Sequence, residues 1–167
     1  MDIDKQLLYE GFSGDLIIQA LGCSPEATAI YTDDNMIIRF ANDGMLGIWG
    51  KDDSVVGKAL KEALPELEGQ PFLSLLKEVW RSGKTYFVND ATVYIVKNGI
   101  STLDYYDYEY KALLDSNGKS WCILNTALKV TSRRKYLQKI QQKEEKKQAL
   151  LEEMAANERV MIHKWRT

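Results

Sequence analysis

Seven consecutive residues, Asp104-Tyr105-Tyr106-Asp107-Tyr108-Glu109-Tyr110, crowd hydroxyl and carboxyl side chains into one stretch of this 167-residue chain. A phenol donates a hydrogen bond, and a carboxylate accepts one or works as a general base. On an extended strand, side chains alternate between faces. Tyr106, Tyr108 and Tyr110 then share one face, and Tyr105, Asp107 and Glu109 share the other. The plain expectation is a strand packed on one side and solvated on the other. The sharper expectation is that one of the tyrosines donates a hydrogen bond into a ligand pocket.

The remaining reactive residue types are sparse. Cys23 and Cys122 lie far apart, with no CxxC spacing and no clustered histidine. Neither a metal site nor a disulfide framework follows, and both cysteines are expected to be small buried apolar residues. The single histidine, His163, sits in Arg159-Val160-Met161-Ile162-His163-Lys164-Trp165. That string lacks the acid, Leu, Arg and Thr-Pro that follow a kinase phospho-acceptor histidine, so a surface helix position is expected. No nucleophile with a base, no paired acid and base and no phosphate loop is discernible. No catalytic residue is assigned, and the chain is not expected to be an enzyme.

The elements that must position these residues belong to a soluble protein of one domain with appendages. The chain is 45% hydrophobic and 28% charged, with three prolines, a composition that suits a well-buried core. No stretch nears the roughly 18 apolar residues of a membrane helix, and the acidic start Met1-Asp2-Ile3-Asp4-Lys5 does not read as a signal peptide. No membrane partner and a cytoplasmic location are expected. Up to Leu128 the chain has 11 basic and 19 acidic residues, a net −8; from Lys129 onward it has 11 and 5, a net +6. The shift marks a compositional boundary. Gln and Glu interleave the cations of the basic part and a single nearby Tyr136 offers no stacking platform, so no nucleic acid is expected as a partner.

Apolar spacing from Asp4 to Leu21 predicts an interrupted amphipathic helix, stopped by Gly22 and Pro25. Thr28–Thr32 and Met36–Ala41, separated by Asp33-Asp34-Asn35, predict a hairpin. Asn42 to Leu67 predicts several short helices, with Asn42 or Asp43 as a cap. Phe72, Leu75, Leu76, Val79 and Trp80 predict a longer helix ended by Gly83. Three β-rich runs, Thr85–Val96, Thr102–Leu114 and Trp121–Thr131, are bounded by Lys97-Asn98-Gly99 and by 115–119, and predict a meander. Arg133 to Arg159 contains no Gly or Pro and predicts a long exposed helix. Leu137, Ile140, Leu151, Met154, Met161 and Trp165 fall on one heptad seam, which Glu144, Lys147 and Glu158 interrupt. The whole is an α+β arrangement: a five-stranded antiparallel sheet with helices on one face. Three segments follow: 1–22 as a helical cap, 23–131 as the domain, and 132–167 as a charged helix.

That order, with Thr32-Asp33-Asp34-Asn35-Met36-Ile37-Ile38-Arg39-Phe40-Ala41-Asn42, resembles the first hairpin of the PAS family. Leu46, Gly50, Val56-Gly57-Lys58, Leu60 and Pro65 follow in the order common in that family. Tyr108-Glu109-Tyr110, Leu113 to Gly118, and Leu128-Lys129-Val130-Thr131 at the domain's end extend the resemblance over about 28–131. It implies a sensory module of the kind found in sensor histidine kinases. Such a module dimerises and passes a ligand- or partner-induced change to an output domain or partner protein through its last helix. The alternative is a ligand-free protein–protein adaptor. Lys129, Val130 and Thr131 become the signal junction, although Lys129 replaces the usual Asp and puts that residue's salt bridge in doubt. The pocket implied between sheet and helices would be lined by Met45, Ile48, Trp49, Phe72, Leu76, Tyr106 and Cys122 and could take a small molecule; packing alone explains the same spacing, and a filled core is favoured. The family's photoreceptors place a reactive Cys after the hairpin, where this chain has Ala41-Asn42-Asp43-Gly44, so covalent flavin is not expected. His-ligated haem is not expected either, since His163 lies outside the sheet region.

Overall fold

The structure, a computed structural model, describes residues 14–165. They form two compact units that divide between Lys129 and Val130. In the first unit, α1 (Gly14–Gly22) precedes strands β1 (Ala27–Thr32) and β2 (Ile37–Ala41). Helices α2 (Asp43–Trp49), α3 (Leu60–Ala63) and α4 (Phe72–Ser82), with single 3-10 turns at Asp53–Val55 and Pro65–Leu67, fill the middle. Strands β3 (Tyr86–Lys97), β4 (Ile100–Leu114) and β5 (Ser120–Lys129) close the unit. The second unit is the helix α5 (Thr131–Trp165). The helix expected from Asp4 is described only from Gly14; its earlier part lies outside the described residues.

The five strands make one antiparallel sheet in the order β2-β1-β5-β4-β3, so the hairpin and the meander join through β1 and β5. Local chemistry sets the turns. Asn98 and Gly99 both take positive φ (50° and 75°) between paired Lys97 and Ile100, the two-residue turn whose twist suits a hairpin. Asp115 accepts from the backbone N–H of Asn117 (2.8 Å) and Lys119 (2.9 Å), which folds the β4–β5 connection. Gly83 ends α4 in the left-handed conformation (φ 67°), as its place after the last apolar turn predicts. The third β-rich run is shorter than its sequence reading: β5 stops at Lys129, and Thr131 already opens α5.

Asn42 fastens the first half of this unit. Its side-chain oxygen accepts from Met45 N–H (3.0 Å), capping α2, and from Thr28 N–H (2.9 Å) in β1. Its amide nitrogen donates to the carbonyls of Leu21, Ser24 and Glu26 (3.2, 3.3 and 2.8 Å), holding the end of α1 against the start of β1. A Cβ on Gly44 would lie 3.2 Å from the Ala27 backbone, a tight contact, so this close approach of helix to strand favours glycine.

The core lies on the sheet face carrying Ala27, Ala29, Tyr31, Val93, Ile95, Tyr106, Tyr108, Tyr110 and Ile123. Met45, Trp49, Leu60, Leu64, Leu67, Phe72, Leu76 and Val79 of the helical stretch belong to the same buried cluster. The β4 alternation is as expected, with Tyr106, Tyr108 and Tyr110 buried and Tyr105, Asp107 and Glu109 part-exposed. One irregularity sits in β3, where a bulge between Val88 and Ala91 carries Asp90 at φ 52°. The Asp90 N–H donates to the Asp107 carboxylate (2.9 Å).

Candidate functional site

Within the core a cavity of about 50 Å³ lies between the tyrosine face of the sheet and helices α2 and α4. A few water-sized molecules would fill it. Met45, Ile48 and Trp49 reach it because they follow one another round α2, and Phe72 because it starts α4 with its side chain towards the sheet. From the sheet come Tyr31, Val93, Ile95, Tyr106, Tyr108, Tyr110, Asn125 and Ala127. Among the described residues no charged side chain lines it.

Of the residues expected there, Met45, Ile48, Trp49, Phe72 and Tyr106 are brought together, and Leu76 and Cys122 are not. Leu76 is fully buried in the core, one helical turn beyond Phe72, without reaching the cavity. Cys122 is buried but alternates away from Ile123 and Asn125, onto the sheet's other face, outside the core cluster. The other cysteine corrects an expectation too: Cys23 is exposed, because it lies just beyond α1 in the loop that leads to β1. Sequence reading missed Tyr31 and Asn125. Both stood in runs read as strands, and their alternation with Ala29 and Ile123 was the available signal.

Hydrogen bonding divides the polar groups of the cavity wall. Tyr31 donates to Asn125 Oδ1 (3.0 Å), and the Asn125 amide donates to the carbonyls of Glu109 (3.1 Å) and Thr126 (3.2 Å). The Tyr106 hydroxyl is buried with no hydrogen-bond partner among the described residues, although the residue is only 2% exposed. Burial, and then the charge of nearby Asp104, push its pKa up to about 12. Burial likewise raises Tyr31, Tyr108 and Tyr110, so all four phenols stay neutral at neutral pH. Tyr108 and Tyr110 meet tilted at 45° with 4.9 Å between centroids, and Phe72 meets Tyr108 edge-on at 5.7 Å, which stiffens this wall.

The end of β5 is tied to the same strand. Lys129 Nζ contacts Asp104 Oδ2 at 2.7 Å, and the register places Lys129 opposite Tyr106. The Lys that stands where an Asp is usual therefore makes an ion pair of its own, two residues along β4 from the cavity tyrosine. With the Lys129 side chain 49% exposed, this pair is worth at most about 1 kcal/mol. Val130 and Thr131 follow directly in the chain, Thr131 as the first residue of α5.

No helix of the described residues is long and apolar enough to cross a membrane. Among them no three His, Cys, Asp or Glu side chains gather as a metal ion would require. No curated protein matches the chain. Solved structures do. An RNA-binding light-oxygen-voltage receptor superposes with a TM-score of 0.60 at 14% identity over 77% of this chain, which spans only 35% of that receptor's. The PAS domain of Bordetella pertussis BvgS gives 0.53 at 18% identity, covering 78% of this chain and 96% of that one. A PAS domain from Colwellia psychrerythraea gives 0.53 at 13%, covering 78% and 99%. These likenesses show the fold. The PAS fold family model matches residues 23–135, more than half of the sequence and all five strands, and the chain therefore belongs to the PAS family.

Proposed function

We propose that this chain is the sensory and dimerisation module of a signalling protein, in which a change in the core cavity is passed through Lys129, Val130 and Thr131 to the helix α5 and so to an output. The observation that carries this reading is α5 itself. It runs 35 residues, exposes Leu137, Ile140, Leu151, Met154, Met161 and Trp165, and begins two residues after the last core strand. Helices leave apolar seams in water when a second helix covers them. A parallel pair of these helices, its seam weakened at Glu144, Lys147 and Glu158, would change register or separation at little cost. The output proposed is a two-component histidine kinase, in the same polypeptide or as a partner, since these 167 residues hold no catalytic motif of their own.

Cysteine cross-linking tests the dimer. In a Cys23→Ser background, Ile140→Cys, Leu151→Cys and Met154→Cys are each expected to form a symmetric disulfide across a parallel pair, and Gln142→Cys, off the seam, is not. Sedimentation showing a monomer at high concentration, with no preference for seam positions, would remove the proposal.

A further inference from the structure

Glu144 and Lys147 sit at the centre of the α5 seam, where a parallel pair of helices would bring each residue against its own copy. Glu144 would face Glu144, and Lys147 would face Lys147. Both side chains are exposed, and within one helix they lie 4.0 Å apart, so the two charges share the seam face. The flanking positions do not favour a parallel register either: in it Lys143 meets Gln148 and Leu150 meets Ala155, with no opposite charges to join. Turning one helix end for end changes every partner. About a point between Glu145 and Lys146, Glu144 comes level with Lys147 of the other copy, Ile140 with Leu151, and Leu137 with Met154. Each apolar residue then meets an apolar residue, and each charge meets its opposite, twice over by the two-fold symmetry. The third interruption obeys the same rule, since Glu158 comes level with Arg133.

We infer that α5 docks antiparallel against α5 of a second copy of this chain, in a register set by the Glu144–Lys147 pairs, and that this state competes with the parallel pair. The inference rests on the dimerising role of α5 proposed above and adds the orientation that the charges select. In the antiparallel state two Glu144–Lys147 pairs form a centre of alternating charge, whereas the parallel state stacks like charges between the same apolar layers. The residues on either side of that centre, Leu137, Ile140, Leu151 and Met154, are 46–55% exposed in the single helix and gain cover in either state. A signal that favours the parallel pair must therefore offset the charge preference for the other.

Mixed cross-linking tests the orientation. Full-length chains carrying Cys23→Ser with either Ile140→Cys or Leu151→Cys are mixed, one of them 15N-labelled, and equilibrated in a glutathione redox buffer. Mass spectrometry then separates the two symmetric disulfide-linked dimers from the mixed one. Ile140→Cys mixed with Met161→Cys is the control, because residue 161 lies ten residues beyond the level of 151, about 15 Å along the helix. The mixed 140–151 product is expected at about tenfold above the control, since a disulfide needs the two backbones level and close. Glu144→Leu with Lys147→Leu, introduced into both chains, removes the charge preference and is expected to lower the mixed share against the symmetric products by about threefold or more. Symmetric products alone overturn the antiparallel state and leave the parallel dimer standing. An unchanged mixed share in the leucine variant overturns the assignment to the charges. No disulfide above the control, symmetric or mixed, overturns the inference together with the dimer it rests on.

Discussion

The sheet unit and the long helix solve the same problem in opposite ways. The core residues of the sheet unit hide their apolar surface from water within one chain, with Leu76, Ile38 and Ala29 fully buried, although its outer surface still exposes Phe87, Ile100 and Trp121. Helix α5 buries only Thr131 and leaves its apolar seam residues exposed, from Ile140 at 46% to Met161 at 62% and Trp165 at 88%. Core burial contributes most of the favourable free energy of folding, so the sheet unit has an internal source of stability. A solvated helix gains little beyond its own propensity, and side-chain pairs such as Gln141–Glu145 (2.9 Å) and Gln148–Glu152 (3.2 Å) add only a few tenths of a kcal/mol each. What distinguishes the two units is therefore where their stability comes from: the first carries it internally, the second draws it from whatever covers its seam. A sensory core with an adjustable output has the same division of labour.

Perturbations of both units would sharpen or break that contrast, the largest first. Leu76→Ala empties a fully buried core position, and chemical denaturation should show a loss of about 2–5 kcal/mol. Leu151→Ala on α5 should cost the core less than about 0.5 kcal/mol and act on self-association instead. A comparable loss from both would erase the distinction between the units.

Asn42→Ala comes next. It leaves the buried N–H groups of Thr28 and Met45 without their acceptor, and a loss of about 2–3 kcal/mol is expected in denaturation. Hydrogen exchange should show α1 released at the same time, since the Asn42 amide holds the carbonyls of Leu21, Ser24 and Glu26. Protection of α1 unchanged in the variant would show that it is held by other contacts.

Repairing the seam tests the helix alone. Glu144→Leu with Lys147→Leu places apolar residues where the heptad is broken, and sedimentation should show the dimer tightened by tenfold or more with the core's stability unchanged. No gain would mean that the seam is not the face that pairs.

The smallest effects come from the phenols. Tyr31, Tyr106, Tyr108 and Tyr110 all have folded pKa values above the ordinary 10.0, with Tyr106 at about 12. A raised pKa means the folded state holds its proton more tightly, so this stability is complete below pH 10 and drains away as pH rises through the folded values. Stability followed by circular dichroism should be flat from neutral pH to about 9.5 and then fall steeply, with tyrosine ionisation at 295 nm rising in the same step. Asp104→Asn removes the charge that helps raise Tyr106, and should bring ionisation of that residue slightly earlier while costing at most about 1 kcal/mol from the Lys129 pair.

Much of this was readable from the sequence by itself. Alternation along β4 sorted Tyr106, Tyr108 and Tyr110 from Tyr105, Asp107 and Glu109, since a strand's side chains have no choice but to alternate. Asn98-Gly99 set the hairpin turn because both residues tolerate positive φ, and the loss of Gly and Pro after Ser132 allowed one continuous helix. Such features depend on neighbours in the chain. What only the tertiary structure decided is which side chains meet across it. Helical spacing placed Leu76 with Phe72 on one stripe, but of the two only Phe72 reaches the cavity. Strand order, not strand content, brought Tyr31 to Asn125, 94 residues away, and Lys129 to Asp104, 25 residues away. Pairing β1 with β5 rather than with β3 is a choice among whole-chain arrangements. That choice satisfied Tyr31 and Asn125 and left the Tyr106 hydroxyl without a partner among the described residues, because hydrogen bonds depend on three-dimensional distances that spacing along the chain does not contain.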